Sequence, residues 1–303
     1  MKIDFARRHG GARRNVTSTG GIMIISIALF FSACKEIGPD INLHGNQNSV
    51  SDTSYIESPV QSPETKNALV EEFTGVQCPN CPQGHQIVAQ IQSQYPGRVA
   101  AIAYHPINSL GRPFTFSTQD LQNQQSQDVF DYLGQIGQEP AGDVDRQLFT
   151  GQSNILLDKS LWNGFTTNEL ALTTPVNIVL ADSYDSASRQ LSVVVTLHYN
   201  SANTDTTANR LTIALVENNI ISAQLNGNVI DTFYVHNNVL RTTLTADEGD
   251  LINYPRQAGR VDILVYQATL NSKWVAANMS VIAFVHEFEN SKVVYQVKQV
   301  SVE

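Results

Sequence analysis

Leu69-Val-Glu-Glu-Phe-Thr-Gly-Val-Gln-Cys78-Pro-Asn-Cys81-Pro-Gln-Gly-His85 is the stretch around which this chain is organised. A short apolar run ends at Thr74-Gly75, and two cysteines follow, three positions apart, where a helix begins. Pro82 has no backbone donor, so it belongs in the first helical turn and sets the cysteines at the helix N-terminus. The 303 residues include 3 cysteines, and the remaining one is Cys34. If lipid takes Cys34, as argued below, Cys78 and Cys81 pair only with each other or with a thiol from outside. That arithmetic suits a redox pair better than a disulfide framework.

Working outward, Ala68–Phe73 reads as a strand. Cys81–Tyr95 carries Ile87, Val88 and Ile91 at helical spacing and is stopped by Pro96-Gly97. Val99–Tyr104 is continuously apolar, as expected of a strand covered on both faces. Together these make a βαβ unit. Pro106–Gly137 follows as a Gln-rich helical insertion, with a helix from Ser117 or Thr118 edged by Phe130, Leu133 and Ile136. Pro140 precedes short strands near Asp143–Phe149 and Ile155–Leu157, then a helix around Leu161–Leu172, with Pro175 marking a boundary.

This order resembles that of thioredoxin-like domains. The resemblance implies that Cys78 is the attacking thiol, Cys81 the resolving one, and Glu72 a buried acid that moves protons for the second cysteine. It also implies that Pro140 is the proline facing the disulfide. Gln77 stands where an aromatic residue usually precedes the first cysteine. Glu71 competes with Glu72 for the acid's role, and most X–Pro bonds are trans, so Pro140 could equally be an ordinary turn residue.

The remainder is strand-rich: Val176–Ala181, Leu191–Tyr199, Leu211–Val216, Val239–Leu244, Val261–Thr269, Val281–His286 and Lys292–Val300. Strands at this density suggest an immunoglobulin-like sandwich. No Gly-rich phosphate loop or acidic ligand cluster occurs there, so no cofactor or resident metal is expected. The fold class is therefore a thioredoxin-like α/β domain with a helical insertion (66–174) followed by an immunoglobulin-like β-sandwich (175–303).

Ahead of both lie an export signal (1–33) and a tether (34–65). Basic residues to Arg14 precede the apolar run Ile22–Phe31, which is too short for a bilayer span of about 20 residues. Phe31-Ser-Ala-Cys34 resembles the bacterial lipoprotein cleavage box, which makes Cys34 the lipidation site. An ordinary cleaved signal with Cys34 incidental is the competing reading. Lys35–Lys66 is rich in Asn, Ser, Gln and Pro and reads as flexible, with a reach of roughly 30 Å. Lys35 argues against inner-membrane retention, so outer-membrane anchoring is expected, with envelope proteins or peptides as disulfide substrates. The formal charge is −9. Residues 1–33 contribute five basic side chains against Asp4 alone, so the rest of the chain is more acidic still. Such a body has no basic footprint for nucleic acid.

The mature chain resembles the outer-membrane-protein-28-related lipoprotein family of Bacteroidota. Glu71-Glu-Phe-Thr-Gly with Cys78-Pro-Asn-Cys-Pro, Gly142-Asp-Val-Asp-Arg146, Val235-His-Asn-Asn-Val-Leu-Arg241 and Ile282-Ala-Phe-Val-His286 carry that likeness. What it implies is an envelope lipoprotein, not a particular activity.

Two further readings of the cysteines compete with exchange. In one the pair is a permanent staple at the helix start; in the other, with His85 and His105, it supplies zinc donors. A surface-exposed binding or adhesion protein is the corresponding alternative function. His85 is expected on the helix surface, and His236 and Arg241 are expected as a structural pair.

Overall fold

In the computed structural model, residues 49–201, 208–253 and 256–302 are described. The export segment, Cys34 and the tether as far as residue 48 lie outside them.

The strands and helices follow in chain order. They are β1 (Ser49–Ile56), β2 (Ala68–Phe73), α1 (Cys81–Gln94), β3 (Val99–Tyr104), α2 (Gln124–Leu133), β4 (Ala141–Val144), β5 (Leu157–Asp158) and α3 (Trp162–Glu169). The β-rich part adds β6 (Val176–Asp185), β7 (Gln190–Tyr199), β8 (Asn209–Glu217), β9 (Ile220–Asn226) and β10 (Val229–His236). It ends with β11 (Val239–Thr243), β12 (Asp250–Leu251), β13 (Arg260–Thr269), β14 (Met279–Glu287) and β15 (Val294–Ser301). No described helix is long and apolar enough to cross a membrane.

The expected βαβ unit is present, with β2 and β3 parallel in the register Ala68↔Val99 to Phe73↔Tyr104. β4 runs antiparallel to β2, and β5 antiparallel to β4. The seven strands expected after residue 175 are all present as β6, β7, β8, β11, β13, β14 and β15. They do not form a body apart. One nine-stranded sheet has the order β15-β14-β8-β11-β3-β2-β4-β5, with β12 on β8. β11 pairs with β8 on one side and, at Val239↔Ala103, with β3 on the other. The sheet thus runs through the 174/175 boundary, and the described residues form one compact unit.

The alternation of side chains along each strand explains the layers. On β14, Val281, Ala283 and Val285 enter a core shared with β6, β7, β8 and β13. Ile282 and Phe284 point the other way, into a core shared with α2, β2 and β3. All nine residues of β14 are buried, which accounts for the unbroken apolar run Val281–Val285 at its centre. On the opposite face of β2–β4, Val88 and Ile91 of α1 and Trp162 of α3 pack on Val70, Ala101 and Val144. A four-stranded sheet, β1-β13-β7-β6, closes the sandwich over Leu191, Val193, Val195 and Leu197.

Three sequence expectations need correction. Part of the segment assigned to the tether is bound into the fold. Residues Ser49–Ile56 form β1 on the edge strand β13, and Ser54 Oγ donates to Asp262 Oδ1 at 2.7 Å. Backbone pairing holds β1 in spite of its polar composition. The α2 helix begins at Gln124, later than expected, because Asn123 caps it by accepting from the Ser126 amide. The hairpin β9–β10 was absent from the sequence reading.

A buried polar knot ties the layers together. Arg146, 1% exposed, donates through Nε to Glu71 Oε2 at 2.6 Å and through Nη2 to Oε1 at 2.8 Å. Tyr104 donates to Glu71 Oε1 at 2.6 Å, and the guanidinium lies 5.0 Å from the Phe284 ring centre. The motif Gly142–Arg146 therefore has a structural explanation. Asp143 and Asp145 accept from the amides of Arg146 and Leu69, and Gly142 admits no side chain because Trp162 and the Glu71 carbonyl occupy that space.

Candidate functional site

The loop from Thr74 to Asn80 joins β2 to α1. Its backbone is anchored by Thr74 N to Tyr104 O (2.9 Å) and Gln77 N to Leu110 O (2.7 Å). Gly75 is required here, since a Cβ would fall 2.4 Å from the Leu110 carbonyl oxygen. Asn80 precedes the helix without a side-chain cap, and Pro82 lies in the first turn. Pro82 has no amide to offer, and the amides of Cys81 and Gln83 bond the carbonyls of Cys78 (3.4 Å) and Asn80 (3.1 Å), so what this turn holds for a thiolate is the positive end of the helix dipole. Cys78 and Cys81 are joined in a disulfide with Cα atoms 5.4 Å apart.

Both cysteines are buried, at 1% and 0% exposure. The hairpin β9–β10 is bonded along the loop that carries them. Leu225 N donates to Val76 O (2.8 Å) and Gly227 N to Pro79 O (2.9 Å). The Gln224 amide, itself fully buried, donates to the carbonyls of Gly75 (3.2 Å) and Cys78 (3.1 Å). Thr118 holds the hairpin from the other side through Ile221 O.

Glu72 lies beneath the helix start. A Cβ on Gly84 would come within 2.3 Å of Glu72 Oε1 and 3.1 Å of Pro140 Cβ, so strand, helix and proline meet at one point. The Glu139–Pro140 peptide is cis. Glu72 Oε1 is buried without a hydrogen-bond partner, and burial holds its carboxyl well above the usual carboxylate range. Glu71, its competitor in sequence, is fully committed to Arg146 and Tyr104. The two adjacent acids have separate roles, and only Glu72 sits at the disulfide's helix.

His85 departs from expectation. It is not a free surface residue: Nε2 bonds Thr74 Oγ1 (2.9 Å), Nδ1 bonds Tyr234 OH (2.7 Å), and Glu72 Oε1 is 3.8 Å away. Burial, with His236 adding to it, pushes its pKa down to about 3. The ring of His236 lies 6.3 Å from that of His85 and 6.1 Å from that of His105. Burial keeps these two neutral as well. Arg241 does not pair with His236. It donates to Glu217 (2.6 Å) and Gln119 (2.7 Å). A groove of about 410 Å³, lined by Glu72, His85, Gln92, Tyr234 and Asn238 among others, opens beside this cluster.

The donor set imagined for zinc is not assembled as such, because both nitrogens of His85 are engaged elsewhere. Among the described residues, the donors brought within 4.8 Å of one another are those of Cys78, Cys81 and Glu139. Sequence reasoning missed Glu139, Tyr234 and Gln224. Only the apolar–polar alternation around Gly227-Asn228 could have flagged the hairpin.

Comparison with known proteins gives a match over residues 123–303 to the family model described as outer membrane protein Omp28. No curated protein matches the chain in sequence. Among solved structures, HBP35 of Porphyromonas gingivalis is similar with a TM-score of 0.63 at 20% identity, over 80% of this chain and 77% of that one. At that identity the likeness concerns fold alone. A domain of the outer membrane lipoprotein Omp28 from Porphyromonas gingivalis aligns at 21% identity, over 43% of this chain and 89% of that one. Its TM-score of 0.30 is too low to support an argument.

Proposed function

We propose, from the premise that this chain belongs to the Omp28 outer membrane protein family, that it is an envelope lipoprotein carrying a thiol–disulfide exchange site. In this reading residues 66–174 are thioredoxin-like, Cys34 bears the lipid, and Cys78 attacks while Cys81 resolves. Glu72 exchanges a proton with Cys81, and Pro140 borders the substrate. The observation that carries the reading is the convergence at Gly84 of a carboxyl whose Oε1 is buried without a hydrogen-bond partner, the cysteine-bearing helix and Pro140. A structural staple needs none of these neighbours.

The chemistry follows from the parts. The helix terminus favours the thiolate at Cys78. In the reduced pair that thiolate attacks a substrate disulfide, forming a mixed disulfide and expelling one substrate sulfur as thiolate; Cys81, giving its proton to a base, then displaces the other substrate sulfur and closes the Cys78–Cys81 bond. Glu72 accepts that proton only when ionised, and its burial keeps it protonated to unusually high pH. Because both sulfurs are buried, exchange requires the loop to open, and in this reading the hairpin β9–β10, bonded to its carbonyls, lifts with that opening. The test is reduction or isomerisation of a model disulfide by the protein lacking residues 1–34, with Cys78→Ser as control. Equal turnover by that variant ends the reading.

The second reading is a binding lipoprotein in which the disulfide is inert. The specific observation in its favour is the hairpin's outer side, where Phe233 is 80% and Val229 68% exposed. Protease shaving of intact cells tests it, and a chain that remains whole counts against a surface role.

A further inference from the structure

We propose that the reduced Cys78–Cys81 pair, together with Glu139, forms a site for a thiophilic divalent cation of the zinc class. Both sulfurs and a carboxylate oxygen of Glu139 lie within 4.8 Å of one another. Glu139 is held for the task. Asn108 Nδ2 donates to its Oε1 at 2.6 Å, and Asn108 is itself fixed by accepting from the Gly111 amide at 2.8 Å. The other oxygen, Oε2, is buried and has no partner. A buried carboxylate oxygen without a donor calls for a proton, a water or an ion.

Charge decides among these once the disulfide opens. Reduction leaves two thiols three positions apart at one helix start with the Glu139 carboxyl beside them, and the three cannot all ionise without repulsion, since a like charge disfavours each ionised form. A dication removes the conflict, and two thiolates with one carboxylate make a donor set suited to zinc, at Zn–S of about 2.3 Å and Zn–O of about 2.0–2.2 Å. Asn108 then acts from behind the ligand, orienting Glu139 as hydrogen-bonded partners orient metal-bound carboxylates.

The site exists in one redox state only. A dithiol donor supplies two electrons and two protons, opening the Cys78–Cys81 bond to two thiols and becoming a disulfide itself. The cation then displaces the two thiol protons into solvent. Reoxidation requires its release, so occupancy and disulfide formation exclude each other. This inference goes beyond exchange. It needs the disulfide to be reducible and does not need it to react with a protein substrate.

The experiment is an anaerobic titration of the detergent-solubilised full chain with Co²⁺ after reduction by a phosphine and removal of the reductant. A thiolate-to-cobalt charge-transfer band saturating at one equivalent, displaced by Zn²⁺ and absent from the oxidised protein, is the expected result. Glu139→Gln should weaken binding by more than about tenfold and Asn108→Ala by about tenfold, each with an unchanged near-UV spectrum in the oxidised state. A reduced chain that binds no cobalt, a Glu139→Gln variant that binds like the parent, or a native disulfide that resists excess phosphine would each overturn the site. Cobalt binding without turnover of a model disulfide supports the site and ends the exchange reading. Turnover without cobalt binding does the opposite.

Discussion

Replacing Gln224 by Met should make the Cys78–Cys81 disulfide markedly easier to reduce in the folded protein. Met keeps the length and volume of the side chain and removes the donor. In the parent, the Gln224 amide bonds the carbonyls of Gly75 and Cys78 at 3.2 and 3.1 Å, and the side chain is fully buried. Each neutral bond of this kind is worth about 0.5–1.5 kcal/mol net, so the pair contributes about 1–3 kcal/mol to the closed hairpin. In the variant these carbonyls lose a donor while covered and regain water when exposed. Opening should become about 5- to 150-fold more favourable. When opening is a fast pre-equilibrium, the reduction rate rises by the same factor. The assay is thiol labelling against time under excess phosphine, with denaturant unfolding as a control for global stability. A rate within about twofold of the parent, a change of only ~0.4 kcal/mol, would refute the claim that this hairpin guards the sulfurs.

Glu72→Gln should stabilise the protein at pH 8 and give a smaller gain near pH 4.5. The folded carboxyl holds its proton above the unfolded pKa, so in the parent stability falls as pH rises from the unfolded value toward the raised folded one. Thermal melts at the two pH values check this, and equal gains at both would contradict it. The neutral histidines act in the opposite sense. His85, His236 and His286, pushed down to about 3, 4 and 3, bind protons only in the unfolded chain between pH 6.5 and those values. Stability should therefore drop on acidification below pH 6.5, by up to about 1.4 kcal/mol per pH unit for each histidine, read from urea midpoints. Arg146→Met should cost about 3–5 kcal/mol by leaving Glu71 buried and unpaired, whereas the double variant with Glu71→Leu should recover much of it. Denaturant unfolding of the four-member cycle measures both effects.

How much of this was legible before the coordinates depended on the range of the interactions. Local periodicity located α1, β3 and the seven strands after residue 175, because their burial follows spacing of 3.6 or 2. The strand β10 escaped because nearly all its residues are exposed and a bulge between Asp231 and Tyr234 breaks its alternation. The strand β1 escaped because its composition is polar and its partner, β13, comes some two hundred residues later. The same distance in sequence hid the site's second half. Tyr234 reaches His85 across 149 positions and Gln224 reaches Cys78 across 146. The cis state of Pro140 leaves no mark on neighbouring residue types. Glu71 and Glu72 were adjacent equals until the fold gave one to Arg146 and left Oε1 of the other without a hydrogen-bond partner.

The junction of β11 with β3 has a practical corollary. A fragment cut between Thr174 and Pro175 would take from β3 the strand it pairs with at Val239↔Ala103 and leave an apolar strand as a free edge, an invitation to intermolecular pairing. It would also remove β9 and β10, and with them the donors that bond the carbonyls of Gly75, Val76, Cys78 and Pro79 in the cysteine loop. Its reactivity would then describe a dithiol on an unsupported loop and say nothing about the folded protein, so redox work on this chain keeps both sides of the 174/175 boundary.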